Sequence, residues 1–133
     1  PNEIFNLVSD FRVHCLDAPP KLVRRYKWYR DCLLDRNTIL ATGDVVIQRK
    51  GNPSGQFSTS VDNCMFQTML VAAMYGEWIH KNVGHYPTPE ELKETYRCIS
   101  YGDDHLSCVI KTSPYYSFFP MDKNWICDFF KNS

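Results

Sequence analysis

No C-x-x-C pair occurs in these 133 residues. No spacing among the six cysteines (15, 32, 64, 98, 108, 127) and four histidines (14, 80, 85, 105) matches a zinc ribbon or finger. A small zinc module is therefore a rival reading without a motif, and no zinc site is predicted. The cysteines are expected to be reduced and to serve as small apolar side chains. Cys98 and Cys108, which flank one turn, offer the alternative of facing each other across it. Net charge is also missing: 15 Lys and Arg balance 15 Asp and Glu, so nothing global draws the chain to nucleic acid or membrane. That balance still allows a nucleic-acid enzyme, because an acidic site and a basic rim cancel in the sum. Nothing at the start resembles a signal peptide, since Arg12 and Asp17 interrupt any apolar core. The longest weakly charged run, Val61 to Tyr75, contains Asp62, Asn63 and Gln67 and is too short and polar to span a bilayer. Internal repeats and low-complexity segments are absent too.

What remains is globular in composition, with 44% hydrophobic, 14% aromatic and 23% charged residues. The chain opens on Pro1 and stops just after an aromatic helical pattern, so it is expected to be a soluble piece of something longer. Residues 2–16 place apolar groups at 4, 8, 11 and 15, with 5, 7 and 16 beside them; this predicts a helix that "DAPP" ends. A second helix fits 21–36, with 22, 26, 29 and 33 on one face and Lys21, Arg24, Arg25, Lys27 and Arg30 on the other. That basic run reads either as a solvated face or as a contact for RNA phosphates. "TILATGDVVIQRK" (38–50) predicts a hairpin about Thr42-Gly43-Asp44, followed by the loop "GNPSGQFSTS". Residues 61–80 predict a long, largely buried helix with 61, 65, 69 and 72 as its apolar stripe. Thr88, Pro89 and Glu91 predict a capping box and a short helix. A hairpin over 97–110, an aromatic loop and a helix near 122–131 complete the chain. This order, ααββ-loop-αα-ββ-α, indicates an α+β domain with an antiparallel sheet packed on helices.

Two stretches carry chemistry. The first is "RCISYGDDHLSCVI" (97–110), where Asp103 and Asp104 sit at the tip of what reads as a buried hairpin. Gly-Asp is common turn chemistry, because glycine tolerates positive φ and aspartate bonds its own backbone. Shape alone needs only one aspartate, however. Two carboxylates about 5 Å apart repel by roughly 3 kcal/mol at an effective dielectric near 20. A divalent cation reverses that sign, and hard oxygen ligands suit magnesium or manganese.

The second is "GNPSGQFSTSVDNCM" (51–65), which contains S-G-x-x-x-T-x-x-x-N as Ser54, Gly55, Thr59 and Asn63. If a helix begins near Thr59, then Thr59 and Asn63 share a face, with Ser54 and Gly55 in the loop before them. Two hydroxyls, a bare backbone and an amide suit reading a sugar hydroxyl rather than neutralising a phosphate. Ordinary helix capping by Ser or Thr is the bland alternative.

The two together, about forty residues apart, resemble motifs B and C of the palm of viral RNA-dependent RNA polymerases. The wording "KGNPSGQFSTSVDN" with "YGDD" is most similar to astrovirus polymerases, with potyvirus-like enzymes sharing G-N-x-S-G-Q-x-S-T-x-x-D-N. The resemblance covers essentially the whole chain. It implies that residues 1–133 are a partial polymerase palm, running from the helix after motif A through motif C toward the motif D region. Asp103 would be the main ligand and Asp104 a supporting ligand of two Mg2+ or Mn2+ ions. Asn63, helped by Thr59, would recognise the ribose 2′-hydroxyl of a nucleoside triphosphate. Ser54 and Gly55 would form a mobile loop against template and nascent pair. Tyr101 either packs near the primer end or is a plain hairpin aromatic.

The implied partners are RNA template and primer, nucleoside triphosphates, and the rest of the polymerase. The implied setting is the host cytoplasm at membrane-associated replication complexes. One departure matters: motif A, a strand with D-x4-D, is absent, as are the fingers motifs, so the chain alone is expected to be inactive. No motif D role falls to Lys111, Lys123 or Lys131. The rivals are a reverse transcriptase, which shares the palm and a Y-x-D-D turn, and a non-catalytic RNA-binding module using Arg24, Arg25 and Lys27.

Overall fold

A computed structural model of the chain describes residues 2–132. It has α+β architecture and falls into two compact units, Pro1–Phe66 and Gln67–Ser133. The elements run in the expected order: α1 (Asn2–Leu16), α2 (Pro20–Leu34), β1 (Arg36–Ile39), β2 (Val45–Gln48), α3 (Thr59–Val83), α4 (Pro89–Thr95), β3 (Tyr96–Tyr101), β4 (Asp104–Val109) and α5 (Lys123–Asn132). A single 3-10 turn, Tyr116–Phe118, lies between β4 and α5. Instead of one antiparallel sheet, the described residues form two separate two-stranded ones, β1-β2 and β3-β4. Among the described residues no helix is long and apolar enough to cross a membrane.

In the first unit, Pro20 sits at the start of α2, where its missing N–H costs nothing. The helix stops two residues earlier than the spacing predicts. Asp35 is extended (φ −126°, ψ 96°), and Arg36 pairs with Gln48. Strand pairing with a segment twelve residues away has overridden local helical preference. The β1-β2 hairpin turns where expected, with Gly43 at φ +89°. The packing is thinner than the α1 pattern suggests. Phe5 and Val8 are buried, and Phe5 meets Phe66 with ring centroids 5.4 Å apart, but Phe11, Cys15 and Leu16 are exposed.

The second unit has the denser core. Val71, Met74 and Tyr75 of α3 pack against Tyr96 and Val109 of the β3-β4 hairpin and against Trp125 and Phe129 of α5. Tyr75 and Tyr96 stack 4.2 Å apart, and the Trp78 indole N–H donates to the Phe118 carbonyl at 2.9 Å. The buried stripe of α3 is thus Val71, Met74, Tyr75, Trp78 and Ile79, not 61, 65, 69 and 72; Val61 is exposed. Because α3 is apolar on more than one side, its covering elements select the buried side. The capping box of α4 is present as expected, with Glu91 N–H donating to Thr88 Oγ1 and Thr88 N–H donating to Glu91 Oε2. At α5, Asp122 accepts from the Trp125 N–H at 2.9 Å, a cap one residue before the helix.

The β3-β4 hairpin is not buried on both faces. Tyr96, Cys98, Ser107 and Val109 turn inward, while Ile99 (71% exposed) pairs with Leu106 (68% exposed) on the outer face. Cys98 lies opposite Ser107, and Cys108 opposite Arg97. Side chains alternate along a strand, so a one-residue offset puts the two cysteines on opposite faces. This register excludes the alternative in which Cys98 and Cys108 face each other across the turn, and both are free.

Candidate functional site

The acidic tip is built by register. Tyr101 pairs with Asp104, leaving Gly102 and Asp103 as a two-residue loop. Gly102 has φ +62°, while Asp103 is not among the residues at positive φ. Positive φ at the first central position alone is the II′ pattern, whose twist matches the strands it joins. A side chain at Gly102 would meet open space, so the backbone conformation is what demands glycine there. The loop is held from α3: Gln67 Nε2 donates to the Asp103 carbonyl at 2.7 Å. Both carboxylates are left exposed at the ribbon's end, and Tyr101 beside them is 82% exposed. Among the described residues no group of three or more His, Cys, Asp or Glu is placed to hold a metal. The two carboxylates fit part of a hard-cation ligand set; completing it takes a further oxygen ligand from elsewhere.

The second cluster belongs to the first unit, where the loop after β2 meets the start of α3. Thr59 opens the helix, and its hydroxyl is already committed, lying 2.8 Å from the Pro53 carbonyl and 3.0 Å from that of Gln56. Gly55 takes φ +80°, a conformation that glycine reaches without strain. Ser54 beside it is exposed. Asn63 is half-buried, and its Oδ1 accepts from Asn52 Nδ2 at 2.8 Å. Ser54, Gly55, Thr59 and Asn63 are thus gathered around one loop and one helix start.

Six residues that sequence reasoning left without roles hold this cluster. Asp62 is 5% exposed and receives Arg12 Nη2 at 2.8 Å, Gln56 Nε2 at 2.7 Å and Ser58 Oγ at 3.2 Å. Gln56 Nε2 also reaches Asn52 Oδ1 at 3.2 Å, and Gln56 Oε1 accepts from the Tyr29 hydroxyl and the Ser58 N–H, both at 3.1 Å. Asp62 and Asn52 stand in the quoted motif itself, but Arg12 lies fifty residues upstream and no local pattern marks it. On α2, Arg24 and Arg25 are exposed, and Lys27 lies 3.9 Å from Asp10 in a solvent-exposed pair.

The viral RNA-dependent RNA polymerase family model matches residues 1–120. The chain is 38% identical over 135 residues to the non-structural polyprotein 1AB of Turkey astrovirus 2, covering 99% of this chain. Against the polyprotein of the same name from Mink astrovirus 1 it is 40% identical over 87% of this chain. Against that of Avian nephritis virus 1 the figures are 36% and 99%. The chain spans only 8% of the length of each of these relatives. No solved structure matches it.

Proposed function

The chain belongs to the viral RNA-dependent RNA polymerase family, and from that premise we propose that it is the part of the polymerase palm that joins nucleotides to an RNA 3′-hydroxyl and checks their sugar. The observation that carries this reading is the Tyr101-to-Asp104 hairpin tip, where two adjacent exposed carboxylates stand on a turn held by Gln67. Asp103 and Asp104 would hold magnesium or manganese, together with a carboxylate from outside this chain. A divalent pair bound there supplies the positive charge that makes a primer hydroxyl nucleophilic and stabilises departing pyrophosphate.

The chain's own residues do the rest. Asn63 Nδ2 donates to the ribose 2′-hydroxyl of the incoming triphosphate. Thr59 acts by pinning the loop to the helix start, since its hydroxyl is already engaged. Ser54 and Gly55 lie against template and nascent pair, where glycine lets the backbone come close. Tyr101 packs near the primer end. Arg24, Arg25 and Lys27 meet RNA phosphates, so their loss should weaken RNA binding and flatten its salt dependence. The remainder of the polymerase supplies the missing palm strand, fingers and thumb, and the isolated chain does not polymerise. Replication takes place in the host cytoplasm at membrane-associated complexes.

The test is Asp103→Asn in the full polymerase. Nucleotide addition should fall by more than about 100-fold, with the melting temperature unchanged. Primer extension at the wild-type rate would overturn the assignment.

A further inference from the structure

We infer that Asn52 is a positioning residue for sugar selection: through its side-chain NH2 it fixes which end of the Asn63 carboxamide is offered to the nucleotide. This rests on the proposed sugar-reading role of Asn63. A carboxamide has an acceptor end and a donor end, and nothing in its shape distinguishes them. The surroundings must set its polarity, and here they do so from a single charge.

Asp62 is buried and, as a carboxylate, can only accept. It therefore turns the Nε2 end of Gln56 toward itself, at 2.7 Å, with the Arg12 guanidinium holding its other oxygen. The opposite end of Gln56 consequently faces donors, the Tyr29 hydroxyl and the Ser58 N–H. The second proton of Gln56 Nε2 goes to Asn52 Oδ1 at 3.2 Å, so Asn52 must in turn point its Nδ2 away from Gln56. Both protons of that Nδ2 find acceptors, the Thr59 carbonyl at 3.2 Å and Asn63 Oδ1 at 2.8 Å. The acceptor end of Asn63 is thereby consumed. Its Nδ2 has no hydrogen-bond partner among the described residues and is the end left for a ligand. Each link is forced by the one before, from Asp62 through Gln56 and Asn52 to Asn63. A leftover NH2 group matches a sugar hydroxyl acting as acceptor.

Asn52→Asp is nearly the same size but has no donor. Asn63 would then turn its NH2 toward the new carboxylate and present its carbonyl outward. In the full polymerase, the ratio of kcat/KM for a ribonucleoside triphosphate to that for its 2′-deoxy analogue should fall about five- to tenfold, the worth of one hydrogen bond. This ratio does not depend on the fraction of enzyme that is folded. Selectivity for the correct base should stay within twofold, whereas a generally loosened site would lose both selectivities. In an Asn63→Ala background, Asn52→Asp should change the ratio no further, because the two residues act as one unit. Asn52→Ala is the second variant and should behave likewise. If Asn63→Ala narrows sugar selectivity while both Asn52 variants leave it intact, the relay is wrong and the sugar-reading role stands. If Asn63→Ala itself leaves the ratio intact, both are overturned.

Discussion

A carboxylate taken out of water is tolerated only where its lost hydration is replaced, and Asp62 shows the replacement in full. Its side chain is 7% exposed and is met by a guanidinium, an amide and a hydroxyl, all as donors. Removing one partner of such a pair leaves an uncompensated charge, which costs about 3–5 kcal/mol. Arg12→Met should therefore lower the stability of the polymerase by roughly 3 kcal/mol in urea unfolding. Asp62→Asn, which keeps hydrogen-bonding capacity while removing the charge, should cost less. Near-wild-type stability for Arg12→Met would mean that the carboxylate has found water instead. The same residues show how legible the site was. Ser54, Gly55, Thr59 and Asn63 stood out because they fall within ten consecutive residues and form one motif. Arg12 did not, since a contact across fifty residues leaves no trace in the neighbourhood of either partner. Asp62 was visible as a letter of the motif, but its burial depended on how the loop before it folds back.

At the scale of elements, legibility followed how local the forces are. The capping box of α4 was readable from Thr88 and Glu91 because both hydrogen bonds span three residues. Its chemistry also sets a pH response. The Thr88 backbone N–H, donating to the Glu91 carboxylate, holds that carboxyl below its ordinary value, with the Tyr115 hydroxyl and the Thr88 side chain adding to the effect. Because the folded value lies below the unfolded one, the contribution is complete above about pH 4.5 and fades as pH falls through the lowered folded value. Acidification should fray the first turn of α4, read as a lower amide protection factor (exchange relative to the intrinsic rate at each pH) at Glu91 and Thr88. Glu91→Gln should remove the pH dependence, since its amide oxygen accepts the same bond without titrating. An acid response unchanged in Glu91→Gln would assign it to another group. The less legible elements were those decided by distant neighbours. α2 gave up Asp35 and Arg36 because Gln48 was there to pair. On α3, the choice among apolar sides was made by the hairpin and α5, which the helix's own periodicity cannot see.

At the scale of the whole molecule, the balance of apolar surface is the informative quantity. On the β1-β2 ribbon Ile39 and Val45 form a cross-strand pair with Ile47 next on the same face, and all three are more than 60% exposed. The outer face of β3-β4 repeats this with Ile99 and Leu106. Each unit thus carries a bare apolar ribbon face, together with exposed Leu16 and Trp28 in the first. Contiguous apolar patches beyond a few hundred Å2 are rare on monomers that work alone. Zero net charge offers no repulsion to keep copies apart. Two-stranded ribbons also leave backbone edges open to pairing. All three properties suit surfaces that are covered in a larger assembly. They predict that the isolated chain self-associates at micromolar concentration in sedimentation velocity. The double variant Ile47→Lys and Leu106→Lys, charged on both ribbon faces, should shift it toward monomer without loss of helical signal. In the full polymerase the same two lysines should instead destabilise, because there they would be forced beneath covering chain. A wild-type chain that sediments as a clean monomer would remove the argument that these faces are meant to be covered.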